Sequence, residues 1–171
     1  RTRARVIESS RLMSTEHGNG GVRSTPPTRR GTADDHWALN TTVRCQHRCV
    51  YCFEGGREGL RNVPAEETKR LIAEAARHVA FVIFMGAEPT LNPDLVELVG
   101  YAASLGLHPA ISTNALRLAS WDYLGALRRA GLECLELSFH YPDAATYQAI
   151  TGARPKGFQQ LLAALDNIER L

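Results

Sequence analysis

The chain has 171 residues, a length that suits one domain with a buried core. Hydrophobic residues make up 44% of it, and the formal net charge of +2 is too small to indicate a nucleic acid as partner. No apolar run approaches the roughly 20 residues that a membrane-spanning helix needs, and no signal-peptide pattern is present, so we expect no membrane association.

The first part of the chain differs in composition from the rest. Seven arginines fall in the first thirty residues against two glutamates, and glycine and proline clusters oppose regular structure there. We therefore predict a disordered tail over residues 1–35 and one folded domain over residues 36–171. The chain begins with Arg1 and ends inside a predicted helix at Leu171, so we expect a piece of a longer protein.

From Trp37 onward, the hydrophobic pattern predicts strands that alternate with helices. The predicted strands are 37–42, 79–85, 107–112 and 132–139. The predicted helices are 64–77, 93–105, 120–130, 144–150 and 158–171. We expect Asn92 to cap the second helix and Gly131 to close the third. The continuous apolar run Val79–Met85 is typical of a strand that is buried on both faces.

This alternation predicts an α/β fold with a parallel sheet and helices outside it. Four units do not close a barrel, so we expect a partial (β/α)6 TIM-like barrel, truncated after about four units. Active sites of such sheets lie at the carboxyl ends of the strands. Functional residues are therefore expected just after Thr42, Met85, Ser112 and Phe139.

The loop after the first predicted strand contains three closely spaced cysteines, Cys45, Cys49 and Cys52. Three thiolates at this spacing can each bind a different iron of one cubane cluster, which leaves one iron open. A structural zinc site would need four protein ligands, and a zinc or redox cysteine cluster remains the alternative. The candidate fourth ligands are His47 and Cys134. We expect His47 to point to solvent, and Cys134 to be either a buried thiol or a residue of the barrel interior.

The C-x3-C-x2-C spacing, with Tyr51 before the last cysteine and Thr42–Arg44 before the first, resembles the signature of the radical S-adenosylmethionine (SAM) superfamily. The resemblance extends from about Trp37 to Leu171 and implies the N-terminal part of that family's core domain. It implies a [4Fe-4S] cluster on Cys45, Cys49 and Cys52, whose open iron binds SAM. Tyr51 is then expected to lie beside the adenine.

The turn Gly86-Ala87-Glu88-Pro89 resembles the family's G-G-E-P motif, which contacts the methionine amino group. A residue without a side chain lets the backbone approach a ligand, and carbonyls and a carboxylate accept hydrogen bonds from an ammonium group. Ala87 replaces the second glycine, which is acceptable if its φ is negative. Considered alone, the segment is also consistent with an ordinary strand-to-helix turn.

Ser112-Thr113-Asn114 resembles the family's T-N-G segment, with Ala115 in place of the glycine. Ser112 and Asn114 share a strand face, and we expect both near the ribose or the methionine of SAM. An ordinary Asn-containing turn is the alternative for either residue.

Residue parity predicts two faces for the fourth strand. The residues expected to face the helices are Leu135, Leu137 and Phe139, and those expected to face the barrel interior are Glu136, Ser138 and His140. The family usually has a serine here, which Ser138 matches, whereas His140 replaces a frequent aspartate. His140 is then either a substrate contact or a core histidine. Further along, the family often binds the methionine carboxylate with a basic residue, for which Arg154 is the candidate.

The resemblance implies an enzyme, a metal-binding oxidoreductase that cleaves SAM reductively and uses the 5′-deoxyadenosyl radical to abstract hydrogen from a substrate. It implies an electron donor of the flavodoxin or ferredoxin type. The substrate is a peptide, as for a maturase, or a small molecule, as for the cyclase of molybdenum-cofactor synthesis, which Ile150–Gly152 resembles. Metal-binding thiolates favour a reducing compartment and hence the cytoplasm. A non-catalytic iron–sulfur or zinc protein is the rival hypothesis, but it does not explain the Gly86 and Ser112 segments.

Overall fold

The computed structural model describes residues 35–54 and 60–171, so nearly all of the predicted tail lies outside the described residues. Its strands are β1 (His36–Thr42), β2 (Phe81–Gly86), β3 (His108–Thr113) and β4 (Cys134–Leu137). Its helices are α1 (Ala65–Ala75), α2 (Leu95–Ser104), α3 (Trp121–Arg129), α4 (Ala144–Thr151) and α5 (Gly157–Arg170). Two short 3₁₀ turns, Pro89–Leu91 and Leu116–Ala119, follow β2 and β3. The predicted alternation is confirmed.

The four strands are all parallel and follow one another in the order β1-β2-β3-β4. This sequential order is that of a barrel wall, in which each helix returns the chain to the start of the neighbouring strand. None of the helices in the described ranges is long and apolar enough to cross a membrane. The α/β class and the parallel sheet of a partial barrel are therefore as predicted.

The hydrophobic core lies between one face of the sheet and the helices. Leu39 pairs with Phe84 and Phe84 with Ile111, which forms one row of apolar side chains across three strands. Leu98 and Leu127 are fully buried against this side from α2 and α3. Burial of each such side chain contributes about 1.5–3 kcal/mol.

The second face of β2 differs from the prediction. Val82 and Phe84 are fully buried, but Ile83 and Met85 point to the opposite face and are only half-buried. This face is the interior side of the partial barrel, and no helix of the described ranges covers it. The apolar run Val79–Met85 therefore predicted the strand correctly. The prediction that both faces of this strand are buried was wrong.

The start of α2 also differs from the prediction. Asp94, not Asn92, is the residue before the helix. The Asn92 side chain instead donates a 2.9 Å hydrogen bond to the carbonyl of Thr41 and accepts one of 2.9 Å from the backbone N–H of Asp94. It thereby ties β1 to the segment after β2. Gly131, with φ 105°, closes α3 as predicted.

The fourth strand is shorter than predicted. Leu135 and Leu137 pack against the core, as expected from parity. Phe139 lies beyond the strand and is 43% exposed, because its backbone N–H donates to the carbonyl of Leu137 and turns the chain away from the sheet. The assignment of Phe139 to the helix-facing side was therefore wrong.

Candidate functional site

The cysteine loop begins directly after β1, at the carboxyl edge of the sheet. Cys45 and Cys52 are exposed and Cys49 is half-buried, and none of the cysteines in the described ranges forms a disulfide. The backbone N–H of His47 donates to Cys45 Sγ at 3.3 Å, and that of Cys52 donates to the carbonyl of Cys49 at 3.1 Å. A tight turn therefore presents the thiols toward the surface.

The three thiols are close enough to influence one another electrostatically. Burial raises the pKa of the Cys49 thiol, and the nearby charges of Cys45 and Cys52 raise it further. Repulsion of this kind opposes three adjacent thiolates unless a cation compensates for it. Iron or another thiophilic metal would supply that compensation, so the donor set fits a metal centre.

Neither candidate fourth ligand is positioned to complete the set. Cys134 begins β4 and pairs with Ala110, three residues before the carboxyl end of β3. At a rise of about 3.3 Å per residue, it lies about 10 Å from the edge where the loop begins. No group of three or more Cys, His, Asp or Glu side chains in the described ranges converges as a single metal ion requires.

His47 does not point to solvent, and that prediction was wrong. It is 8% exposed, and its Nε2 lies 2.7 Å from the hydroxyl of Tyr147. The two rings also contact edge to face, with centroids 5.5 Å apart. Burial lowers the pKa of His47. The imidazole thus joins the cysteine loop to α4.

Backbone hydrogen bonds make the same connection. The N–H of Arg48 donates to the carbonyl of Thr151 at 2.7 Å, and the N–H of Val50 donates to the carbonyl of Ile150 at 2.9 Å. Gly152 follows with φ 60°, and a Cβ there would lie 3.5 Å from that of Arg48. The cysteine loop is therefore held between β1 and the end of α4. The segment Ile150–Gly152 was singled out from the sequence, but this role was not predicted.

Glu88 is 1% exposed, and its carboxylate accepts hydrogen bonds from the segment after β2 and from the end of β3. Thr90 donates to Oε1 through its N–H at 3.1 Å and its hydroxyl at 2.5 Å, and Thr113 donates to it at 2.6 Å. The backbone N–H of Asn114 donates to Oε2 at 2.8 Å. The carboxylate therefore organises the ends of β2 and β3, and contact between it and a ligand ammonium group remains a prediction.

Gly86 is required by the sheet itself. Its φ is 127°, and a Cβ at this position would lie 2.6 Å from the carbonyl oxygen of Thr42. The backbone of Gly86 thus lies close to the backbone of the neighbouring strand. The prediction was that glycine is needed here to let the backbone approach a ligand. Among non-glycine residues of the described ranges only Ala115 has a positive φ, so the condition set for Ala87 is met. The N–H of Ala87 donates to the carbonyl of Thr42 at 3.0 Å, and Pro89 begins the 3₁₀ turn that follows.

Asn114 links the end of β3 to the cysteine loop. Its Oδ1 accepts a 3.1 Å hydrogen bond from Gln46, and its Nδ2 lies 3.8 Å from Cys45 Sγ. Ser112 pairs with Glu136 of β4, and both are half-buried on the interior face of the sheet. The structure therefore brings Asn114 to the thiols and leaves Ser112 deeper along the same wall.

Tyr51 lies close to the end of β4. Its hydroxyl is 2.9 Å from that of Tyr141, and its ring contacts that of His140 edge to face with centroids 6.1 Å apart. His140 is exposed, so it is not a core histidine. Ser138 is half-buried, and its N–H donates to the carbonyl of Thr113 at 3.0 Å. Tyr141, which sequence reasoning did not single out, thus completes an aromatic group around the loop.

A cavity of about 360 Å³ lies on the side of the loop that faces α5. Gln46 and His47 of the cysteine loop line it together with Leu116, Ala153, Arg154 and Lys156. Arg154 is exposed at this cavity, between α4 and α5. Its predicted contact with a ligand carboxylate is not tested by these contacts and remains a prediction.

Comparison with known proteins identifies the family of the chain. The family model of the radical SAM superfamily matches residues 39–171. The PqqA peptide cyclase of Rhodopseudomonas palustris is 39% identical over 118 residues, which cover 67% of this chain and 31% of the relative. The GTP 3′,8-cyclase of Synechococcus elongatus is 38% identical over 136 residues, which cover 75% of this chain and 40% of the relative.

A solved structure shares the fold. Streptococcus suis SuiB bound to S-adenosylmethionine matches with a TM-score of 0.59 at 22% identity, over 78% of this chain and 32% of that chain. The present chain thus spans about a third of the length of the proteins that it matches.

Proposed function

Because the chain belongs to the radical SAM superfamily, we propose that the whole protein cleaves S-adenosylmethionine reductively with a [4Fe-4S] cluster bound to Cys45, Cys49 and Cys52. When bound, the cluster supplies the electron that breaks the C5′–S bond, and the products are methionine and a 5′-deoxyadenosyl radical. The radical takes a hydrogen atom from the substrate and becomes 5′-deoxyadenosine.

The observation that best supports this proposal is a set of three thiols for which neither of the candidate fourth ligands, Cys134 and His47, is in reach among the residues that the structure describes. Cys134 lies about 10 Å from the edge of the sheet where the loop begins, and His47 is hydrogen-bonded to Tyr147. A cubane bound here would keep one iron open for the amino and carboxylate groups of SAM.

The residues around the loop would bind and orient the cosubstrate. We propose that Tyr51 lies beside the adenine and that Ser112, Asn114 and Ser138 contact the ribose or the methionine. The turn Gly86–Pro89 would present its backbone to the methionine amino group. Since Glu88 is buried beneath this turn and bonded to Thr113 and Asn114, its main contribution would be to fix the turn in place.

The substrate is a peptide or a small molecule. Relatives of both kinds, a peptide cyclase and a GTP cyclase, match two thirds or more of this chain. We propose that the substrate binds at the interior face of the sheet, where Glu136 is half-buried near the end of β4. A polar substrate group would meet hydrogen-bonding partners there.

Anaerobic reconstitution of the full-length protein with iron and sulfide tests the proposal directly. With dithionite and SAM, we expect 5′-deoxyadenosine and methionine in equal amounts. Cys49→Ala should abolish cluster binding and product, whereas the matched control Cys134→Ala should retain both. Absence of 5′-deoxyadenosine from protein with a full complement of iron and sulfide would contradict the proposal.

The rival, a non-catalytic iron–sulfur or zinc protein, predicts a different result. It requires a closed coordination sphere, so added SAM would leave the spectrum of the cluster unchanged. Zinc without iron or sulfide in anaerobically purified protein would favour this rival. The proposed function further requires an electron donor and thiols that stay reduced, for which we propose the cytoplasm.

A further inference from the structure

The part of the surface around the cysteine loop that the structure describes carries more cationic than acidic side chains. Residues 44–54 and 150–160 together contain four cationic side chains and one acidic side chain, Glu54. The four cations, all exposed, are Arg44, Arg48, Arg154 and Lys156. The whole chain has a formal net charge of only +2. Positive charge is therefore concentrated beside the candidate metal centre.

The two cationic segments form one surface. The hydrogen bonds from Arg48 and Val50 to the end of α4 join them directly. The cavity beside the loop is lined from both sides, by Gln46 and His47 on one and by Arg154 and Lys156 on the other. A partner that touches the loop therefore meets the charges of both segments together.

Apolar side chains lie on the same loop. Val50 is 78% exposed and Phe53 is 84% exposed. Exposed apolar side chains rimmed by charges are typical of protein-binding surfaces. We call the surface formed by Arg44, Arg48, Val50, Phe53, Arg154 and Lys156 the loop face.

We propose that the loop face is the docking surface for an acidic one-electron carrier protein. The inference rests on the proposed function, because that function requires an external electron at Cys45, Cys49 and Cys52. In this step the carrier would lose one electron and the bound cluster would gain it. No covalent bond forms or breaks, and no proton is transferred. Opposite charge on the carrier would steer it to the loop and speed association.

A binding experiment tests the docking without catalysis. Oxidised flavodoxin, an acidic flavin-containing carrier, is titrated with the full-length protein at two salt concentrations. We expect affinity to fall with salt, and Arg48→Glu and Lys156→Glu each to weaken binding by about tenfold. Arg128→Glu is the matched control, since Arg128 is an exposed residue in the last turn of α3, at the opposite edge of the sheet. Equal weakening by the control, or none by either loop-face variant, would overturn the proposal.

A comparison of two reductants separates this proposal from the proposed function. With reduced flavodoxin, Lys156→Glu should form 5′-deoxyadenosine about tenfold more slowly than the parent protein. With dithionite, a small reductant, its rate should stay within about twofold of the parent's, at equal iron content. Failure of the parent protein with dithionite contradicts the proposed function, and the binding experiment then still decides the docking. Similar losses with both reductants would contradict the docking surface.

Discussion

The hydroxyl of Thr113 donates a 2.6 Å hydrogen bond to the buried carboxylate of Glu88, which joins the carboxyl ends of β2 and β3. The carboxylate also accepts from Thr90 and from the backbone of Asn114. An ionised carboxylate accepts through both oxygens, whereas an amide offers one acceptor and a donor. The arrangement of these strand ends therefore depends on a carboxylate at position 88.

Glu88→Gln tests that dependence. The amide nitrogen would face N–H or O–H donors, so buried groups would lose their partners, and we expect a loss of about 2–4 kcal/mol in the free energy of unfolding. Glu97→Gln is the control, because its ion pair with Lys69 lies at the surface and should cost less than about 1 kcal/mol. Urea denaturation of both variants gives the comparison. Similar losses in the two variants would contradict the proposed role.

Tyr147→Phe tests the link between His47 and α4. The change removes the hydroxyl that lies 2.7 Å from His47 Nε2 and leaves the buried imidazole without this partner. We expect a loss of about 1–2 kcal/mol in unfolding free energy and less iron retained per chain after reconstitution, because the loop is held less firmly. Tyr101→Phe on α2, away from the loop, is the control. Unchanged stability and iron content in Tyr147→Phe would show that the link is dispensable.

Gly86→Ala should destabilise the protein severely. The new Cβ would lie 2.6 Å from the carbonyl oxygen of Thr42, and φ 127° is unfavourable for any side chain. We expect a loss of more than about 3 kcal/mol, or no soluble protein. Gly100→Ala in α2 is the matched control, since the nearest atom would be 3.8 Å from its Cβ and helical alanine is favoured by about 1 kcal/mol. A tolerated Gly86→Ala would refute the steric argument.

Most of the fold could be predicted from the sequence because the strands and helices follow simple hydrophobic patterns. Phe81–Gly86 and Leu95–Ser104, for example, lie inside or within a residue of the predicted ranges. The ends of the strands and helices were less predictable, because they depend on hydrogen bonds to residues far away in the sequence. Asn92 was expected to cap a helix but bonds to Thr41, 51 residues earlier, and no local pattern shows that.

In the candidate site, too, features that depend on nearby residues were predictable, and contacts between distant residues were not. The cysteine spacing alone indicated the candidate metal centre, since its proposed ligands are close together in sequence. His47 was misplaced because its partner, Tyr147, is 100 residues away. Glu88 and Gly86 were assigned to ligand binding, whereas their visible contacts are to neighbouring strands. Long-range hydrogen bonds are the part of a site that a single sequence does not reveal.

Ala115 has φ 65° and is fully buried, at the place where the family's T-N-G segment has glycine. The left-handed conformation costs alanine about 1–2 kcal/mol, but glycine would lose a buried methyl worth about 0.8 kcal/mol and gain unfolded-state entropy. We therefore expect Ala115→Gly to change the unfolding free energy by less than about 1 kcal/mol. Ala115→Val should cost more than about 2 kcal/mol, because a β-branched residue disfavours positive φ. Equal stability of the two variants would contradict the claim that the backbone at Ala115 is strained.

Tyr123 should contribute to the loss of stability at alkaline pH. Burial raises the pKa of its phenol to about 12, whereas a tyrosine in the unfolded chain ionises near its ordinary value of 10.0. Between these values the unfolded chain releases a proton that the folded chain keeps, so the contribution of Tyr123 is present below about pH 10 and declines toward about pH 12. Tyr123→Phe lacks this ionisation, although it also loses the 3.3 Å hydrogen bond to the carbonyl of Thr90 at every pH. The unfolding free energy, measured in urea from about pH 9 to about pH 11, should therefore fall less steeply for Tyr123→Phe than for the parent protein. Parallel curves would show that the Tyr123 phenol is no harder to ionise in the folded protein than in the unfolded chain.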